Sequence, residues 1–216
     1  MVTLRLFLAL FLVAQAARAA TPRFASEIEA FEASDKANPP PTNAILFLGS
    51  SSIRKWKTVA RDFPDHQVIN RGFGGSEISD SINYFDRIVT PYQPRIIVFF
   101  AGSNDINGGK TPERVFEDFK TFAAKVRSEL PRSRLDYISI STSPSRWGQH
   151  EKVIEANRLI RDYISHDSHL AFIDVYPAML GPDGKPRRDI YVLDRLHMNA
   201  KGYAIWQSII APYLNN

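Results

Sequence analysis

Residues 44–56 read "AILFLGSSSIRKW". Five apolar residues, Ala44 to Leu48, end at Gly49 and run directly into Ser50, Ser51 and Ser52. A short unbroken apolar run closed by glycine is the pattern of a strand covered on both faces, as in a parallel sheet held between helices. The serines then open a helical turn. Free backbone N–H groups and the positive end of the peptide dipoles gather there, so a hydroxyl at this point can cap the helix or sit where negative charge is stabilised.

The same signal recurs along the chain. "QVINRG" (67–72), "RIIVFFAG" (95–102), "LDYISIST" (135–142) and "LAFIDVY" (170–176) are β-branched or aromatic runs, and helical segments separate them. "TPERVFEDFKTFAAKVRSEL" carries Thr111 as N-cap, Pro112 at the first helical position and a stop at Pro131. Its Val115, Phe116, Phe119, Phe122, Ala123 and Val126 share one face. "HEKVIEANRLIRDYI" repeats the amphipathic pattern and "NAKGYAIWQSIIAPYL" closes the chain. Strands alternating with helices predict a three-layer α/β/α sandwich around a central, mostly parallel five-stranded sheet.

At 216 residues the chain is long enough for one full core. Residues 1–19, "MVTLRLFLALFLVAQAARA", have the layout of a secretory signal peptide, with an apolar run too short to span a bilayer. Its removal takes Arg5 and Arg18 and no acid, so the formal charge drops from +4 to +2. Residues 20–41 form an N-terminal extension with a helical pattern around Ile28 and Phe31 that ends at "NPPP", and the main domain runs over 42–216. The expected setting is therefore periplasmic or secreted, without stable membrane insertion. The 27 Lys and Arg are scattered among 23 Asp and Glu, a distribution that argues against a nucleic-acid partner. There is no cysteine, which excludes disulfides, a cysteine nucleophile and a cysteine-ligated zinc site.

Ligands bind such sheets at the carboxyl ends of the strands. Polar and glycine-rich blocks fall there: "GSSS" after the first strand, "NRGFGGS" after the second, "AGSND" after the third. Gly74 and Gly75 let backbone N–H groups come close to a ligand, and the amide of Asn104 can donate to an oxyanion. Near the end, "LDRLHMNAKGYAIW" sets Asp194 three residues before His197, within reach to fix the imidazole tautomer and support the imidazolium. His66, His150, His166 and His169 lack such a partner pattern and read as surface residues.

Serine, glycine, asparagine and Asp-x-x-His blocks in this order on an α/β plan resemble the SGNH hydrolases, the GDSL-like esterase and lipase superfamily, from about Ala44 to Trp206. The resemblance implies a flavodoxin-like fold, Ser51 as nucleophile, His197 as general base and Asp194 as its orienting acid. It implies an oxyanion hole made of the Ser51 N–H, the Gly75 N–H and the Asn104 side chain, with no metal and no organic cofactor. Ser50 stands where the family usually has Asp, which leaves Ser50 and Ser52 as alternative reactive hydroxyls. The implied partner is a small-molecule or glycan ester, with short acetyl-type esters expected. Lipid or thioester hydrolysis is one alternative, and an exported carbohydrate-binding module without catalysis is another. A phosphate-handling enzyme built on "GFGG" would need a metal or a cationic clamp. The loops "STSPSRWGQH" (141–150) and "GPDGKPRRDIY" (181–191) are expected beside the site, with Trp147 as a candidate lining residue.

Overall fold

The computed structural model describes residues 22–215, so the segment read as a signal peptide lies outside the described residues. In chain order the elements are α1 (Ala25–Ala37), β1 (Ile45–Gly49), α2 (Ser51–Lys55), α3 (Val59–Asp62), β2 (Val68–Gly72), α4 (Ile78–Asn83) and α5 (Phe85–Ile88). There follow β3 (Ile96–Phe100), α6 (Ser103–Asn107), α7 (Pro112–Glu129), β4 (Arg134–Ile138), α8 (His150–Ile164), β5 (Leu170–Ile173) and α9 (Ala200–Ile210). The five strands form one sheet in the order β2-β1-β3-β4-β5, every pair parallel. The expected three-layer sandwich is present, and its sheet is wholly rather than mostly parallel.

The unbroken apolar runs of β1 and β3 resolve into two interleaved alternations, because successive side chains in a strand point to opposite faces. Leu46, Leu48, Ile97 and Phe99 enter a core with Ile28 of α1, Phe119 and Phe122 of α7 and Ile160 of α8. Ile45, Phe47, Ile96, Val98 and Phe100 enter the opposite core with Trp56, Trp206 and Ile210. Rings mark both seams: Phe99 stacks on Phe122 at 4.2 Å, and Phe100 meets the edge of Trp206 at 4.8 Å.

Helix α7 forms where its caps predict. Thr111 Oγ1 accepts the Arg114 N–H at 3.2 Å, and Pro112 occupies the first helical position, where no intrahelical donor is needed. Val115, Phe119, Phe122, Ala123 and Val126 are buried, whereas Phe116 is half-buried against Tyr163. Each large apolar side chain on that face contributes about 1.5–3 kcal/mol by burial. The segment expected as an extension also joins the core: Ile28 is fully buried, and Asp35 pairs with Arg71 and accepts from Tyr92 Oη at 2.5 Å.

Three strands end earlier than their apolar runs suggested, at Phe100, Ile138 and Ile173. After β4 the reason is a side chain that imitates a neighbouring strand. Asn157 of α8 accepts the Ile140 N–H and donates to the Ile140 carbonyl, both at 2.8 Å, and this releases the chain from the sheet. The released tails form the loops of the candidate site.

Candidate active site

The order β2-β1-β3 means that the chain leaves β1 toward one side of the sheet and β3 toward the other, which opens a crevice at the carboxyl ends of these two strands. Gly49 makes the exit from β1. Its φ of +140° is unfavourable for L side chains, and a Cβ there would stand 2.0 Å from the Phe100 carbonyl oxygen. Ser50 donates its N–H to that same carbonyl at 3.0 Å and becomes the N-cap of α2, although its hydroxyl makes no capping bond. Ser51 is the first residue of the helix, so its N–H has no acceptor within the helix. The end of α2 is tied back to β2 through Asn70, whose Nδ2 donates to the Ile53 carbonyl at 2.8 Å.

The turn that carries Asp194 and His197 is closed at its base. Tyr191 and Met198 form an antiparallel bridge, the Val192 N–H donates to the His197 carbonyl at 2.9 Å, and Arg195 takes a left-handed φ of 56°. Asn199 then caps α9, its Oδ1 accepting from the Lys201 N–H at 2.9 Å while its Nδ2 donates to the carbonyls of Asp189 and Tyr191. One asparagine therefore starts the last helix and anchors the turn before it. Within the turn, Asp194 Oδ1 accepts the N–H groups of Leu196 and His197, each at 2.9 Å. Asp194 Oδ2 meets His197 Nδ1 at 2.6 Å, and His197 Nε2 lies 3.0 Å from Ser51 Oγ, 146 residues away in sequence. Partial desolvation opposes the Asp194 charge, but the His197 ring and the two backbone donors outweigh it and hold the carboxyl well below the usual Asp range. Of the three serines, Ser51 is the one whose hydroxyl meets the imidazole.

Asn104 lies in α6, directly beyond β3. Its Nδ2 donates to the Ser76 carbonyl at 2.9 Å, and its Oδ1 accepts from Arg146 Nη1 at 3.0 Å. These two bonds fix which end of the amide faces which way and leave one N–H of Nδ2 free to donate. Gly75 has φ +80°, its carbonyl accepts from Arg23 Nη2 at 2.8 Å, and its N–H finds no acceptor among the described residues.

Residues 45–205 match the GDSL-like Lipase/Acylhydrolase family. The chain belongs to that family. With membership comes the reaction class, and the chain is a carboxylic ester hydrolase. No curated protein matches it. Solved structures show the same fold at low identity. A GDSL-like lipase from Bacteroides thetaiotaomicron is 20% identical with a TM-score of 0.76, over 88% of this chain and 98% of that one. A lipase/acylhydrolase from Enterococcus faecalis is 21% identical with a TM-score of 0.65, over 79% and 95%. A carbohydrate esterase family 3 protein from Talaromyces cellulolyticus is 18% identical with a TM-score of 0.64, over 79% and 95%.

In this hydrolase Ser51, Asn104 and His197 line one cavity of about 30 Å³, with Asp194 behind the imidazole. Gly75 is not among the lining residues. The loop after β4 supplies Ser141, Ser143 and Arg146, and the 181–191 loop supplies only Tyr191, whose hydroxyl donates to the Thr142 carbonyl at 3.0 Å. Arg146 is the site residue that no local signal announced, since its partners Ser103 and Asn104 are more than forty positions away. Trp147 does not line the cavity; it stacks on His150 at 4.2 Å, which makes it a packing residue. Two of the four histidines read as surface residues, His166 and His169, are exposed. His66 and His150 are half-buried instead, the first beside Arg95 Nη2 at 3.3 Å and the second under Trp147. Among the described residues no group of three or more His, Asp or Glu is placed to hold a metal ion, and no helix is long and apolar enough to cross a membrane.

Proposed function

We propose that the protein is a serine esterase that works through an acyl-enzyme on short acetyl-type esters, including those carried by carbohydrates. The contact that carries this reading is His197 Nε2 at 3.0 Å from Ser51 Oγ, with Nδ1 of the same ring on Asp194. A serine hydroxyl is a weak nucleophile until a base takes its proton, and the base works best when a third group fixes its tautomer. Ser51 Oγ attacks the ester carbonyl while His197 takes the proton and Asp194 supports the imidazolium. The tetrahedral oxyanion is held by the N–H groups of Ser51 and Gly75 and by Asn104 Nδ2, donors fixed before the charge develops. His197 then protonates the leaving alcohol. In the second half of the cycle it activates the water that releases the acid.

The cavity beside Ser51, about 30 Å³ and walled by Phe100, Tyr191 and Trp206, supports a short acyl group, because a fatty chain needs several times that space. The name of the Talaromyces neighbour supports esters on carbohydrate. The layout of residues 1–19 supports export, with the substrate met outside the cytoplasm. A series of 4-nitrophenyl esters from acetate to octanoate tests the chain-length claim. The expected result is a kcat/KM that falls steeply beyond butyrate, and a maximum at octanoate would overturn it.

A further inference from the structure

Arg146 is more than a brace for Asn104. Its guanidinium is half-buried at the wall of the Ser51 cavity, and of the groups lining that cavity it alone is permanently charged. No carboxylate lines the cavity. Among the described residues Arg146 pairs with no Asp or Glu, unlike the arginines at positions 54, 71, 87 and 114, each of which has an acid partner. Its three hydrogen bonds all leave from Nη1 and all end on neutral acceptors: the Ser103 carbonyl at 3.2 Å, Ser103 Oγ at 2.9 Å and Asn104 Oδ1 at 3.0 Å. Nε and Nη2 have no acceptor among the described residues, so half of a planar fork suited to a carboxylate is unspent.

Removing such a charge from water is unfavourable, and burial indeed pushes the Arg146 pKa down. Positioning an amide does not require that cost, since a neutral donor such as glutamine can hold Asn104 Oδ1. The unpaired charge is accounted for if the counter-ion arrives with the substrate. Resting on the esterase reading above, we propose that this site selects esters that carry a carboxylate close to the scissile bond, with Arg146 as the specificity-determining residue that receives it. The carboxylate belongs to the alcohol, as on an acidic sugar, or to the acyl group, as in a half-ester of a dicarboxylic acid. The two sources place the same chemistry against the same guanidinium.

Two pairs of near-isosteric substrates test this. On the alcohol side, 4-acetoxybenzoate is compared with the neutral 4-acetoxyacetophenone. On the acyl side, ethyl hydrogen succinate is compared with the neutral ethyl 4-oxopentanoate. The wild type is expected to prefer the charged member of one pair by about tenfold or more in kcat/KM, chiefly through KM, as one charge-assisted contact provides. Arg146→Gln is expected to abolish that preference while neutral turnover falls less, and Arg146→Lys to keep part of it. The pair that shows the preference identifies which side of the ester bears the charge. A wild type that hydrolyses the neutral esters with no preference in either pair would overturn the proposal and leave the esterase reading intact. So would an Arg146→Gln variant in which charged and neutral substrates lose equally, since that is the signature of positioning alone. Failure of the wild type on all four esters would instead count against the esterase reading.

Discussion

Two polar networks stand close together at the carboxyl edge of the sheet, and they are built in opposite ways. The Asp194–His197–Ser51 relay is open: the Asp194 side chain is 44% exposed, and its ring partner is only three residues away. The other network surrounds Lys110, whose Nζ meets Asp118 at 2.7 Å, Asp105 at 2.8 Å and Glu77 at 3.0 Å, with Arg114 on the far side of Asp118 at 2.9 Å. The Asp105 side chain there is fully buried and also accepts the Ile78 N–H at 3.2 Å. Asp105 adjoins Asn104, so this closed cluster fastens α4, α6 and α7 together directly behind Asn104. The open network can be reached from outside, and the closed one holds its surroundings still.

A pair of variants separates the two networks. His197→Ala is expected to lower kcat by about 10⁴-fold or more, as loss of a triad base does elsewhere, while the thermal midpoint stays close to that of the wild type. Lys110→Met is expected to do the reverse. Leaving Asp105 buried without its cation costs about 3 kcal/mol, or roughly 6–12 °C in Tm for a domain of this size, with a far smaller loss of kcat in the protein that remains folded. Calorimetry and initial rates on the same samples decide this. An unstable His197→Ala or a dead but stable Lys110→Met would show that the division of labour is wrong.

Acid titration sharpens the same contrast with a smaller effect. Hydrogen bonds overcome desolvation to hold Asp194 below the ordinary Asp value of 3.8, so its contribution to stability is complete above that pH and is lost as pH falls beneath it. Burial raises the Asp105 pKa despite Lys110, so the folded protein takes up that proton before the unfolded chain does. Its contribution to stability therefore grows as pH falls toward 3.8. Thermal unfolding of wild type, Asp194→Asn and Asp105→Asn between pH 7 and 3 is expected to remove the first dependence in one variant and the second in the other. The same sign in both would contradict the contrast.

Signals that act over a few residues were legible in the sequence. The apolar runs located all five strands, Thr111 and Pro112 located the start of α7, and the Asp194-x-x-His197 spacing located half of the relay. Contacts between distant positions were not legible. Asn157 ends β4 from seventeen residues away, Arg146 reaches Asn104 across forty-two, and Lys110 draws its acids from three separate elements. The helical period places Asn157 on the buried face of α8 with Val153, Ile160 and Ile164, yet nothing local names the partner of any of the three side chains. Ser51 lies between the two cases: the resemblance pointed to it by its position two residues after Gly49 while leaving Ser50 and Ser52 as alternatives, and the contact of its hydroxyl with the imidazole is a distance that only the fold sets.

The assignment of Ser51 is tested most directly by treating the folded protein with a fluorophosphonate and locating the adduct by peptide mass spectrometry, with His197→Ala as control. The expected result is a single adduct on Ser51 that disappears in the control. An adduct on Ser50 or Ser52, or labelling that survives the loss of His197, would contradict the relay described here.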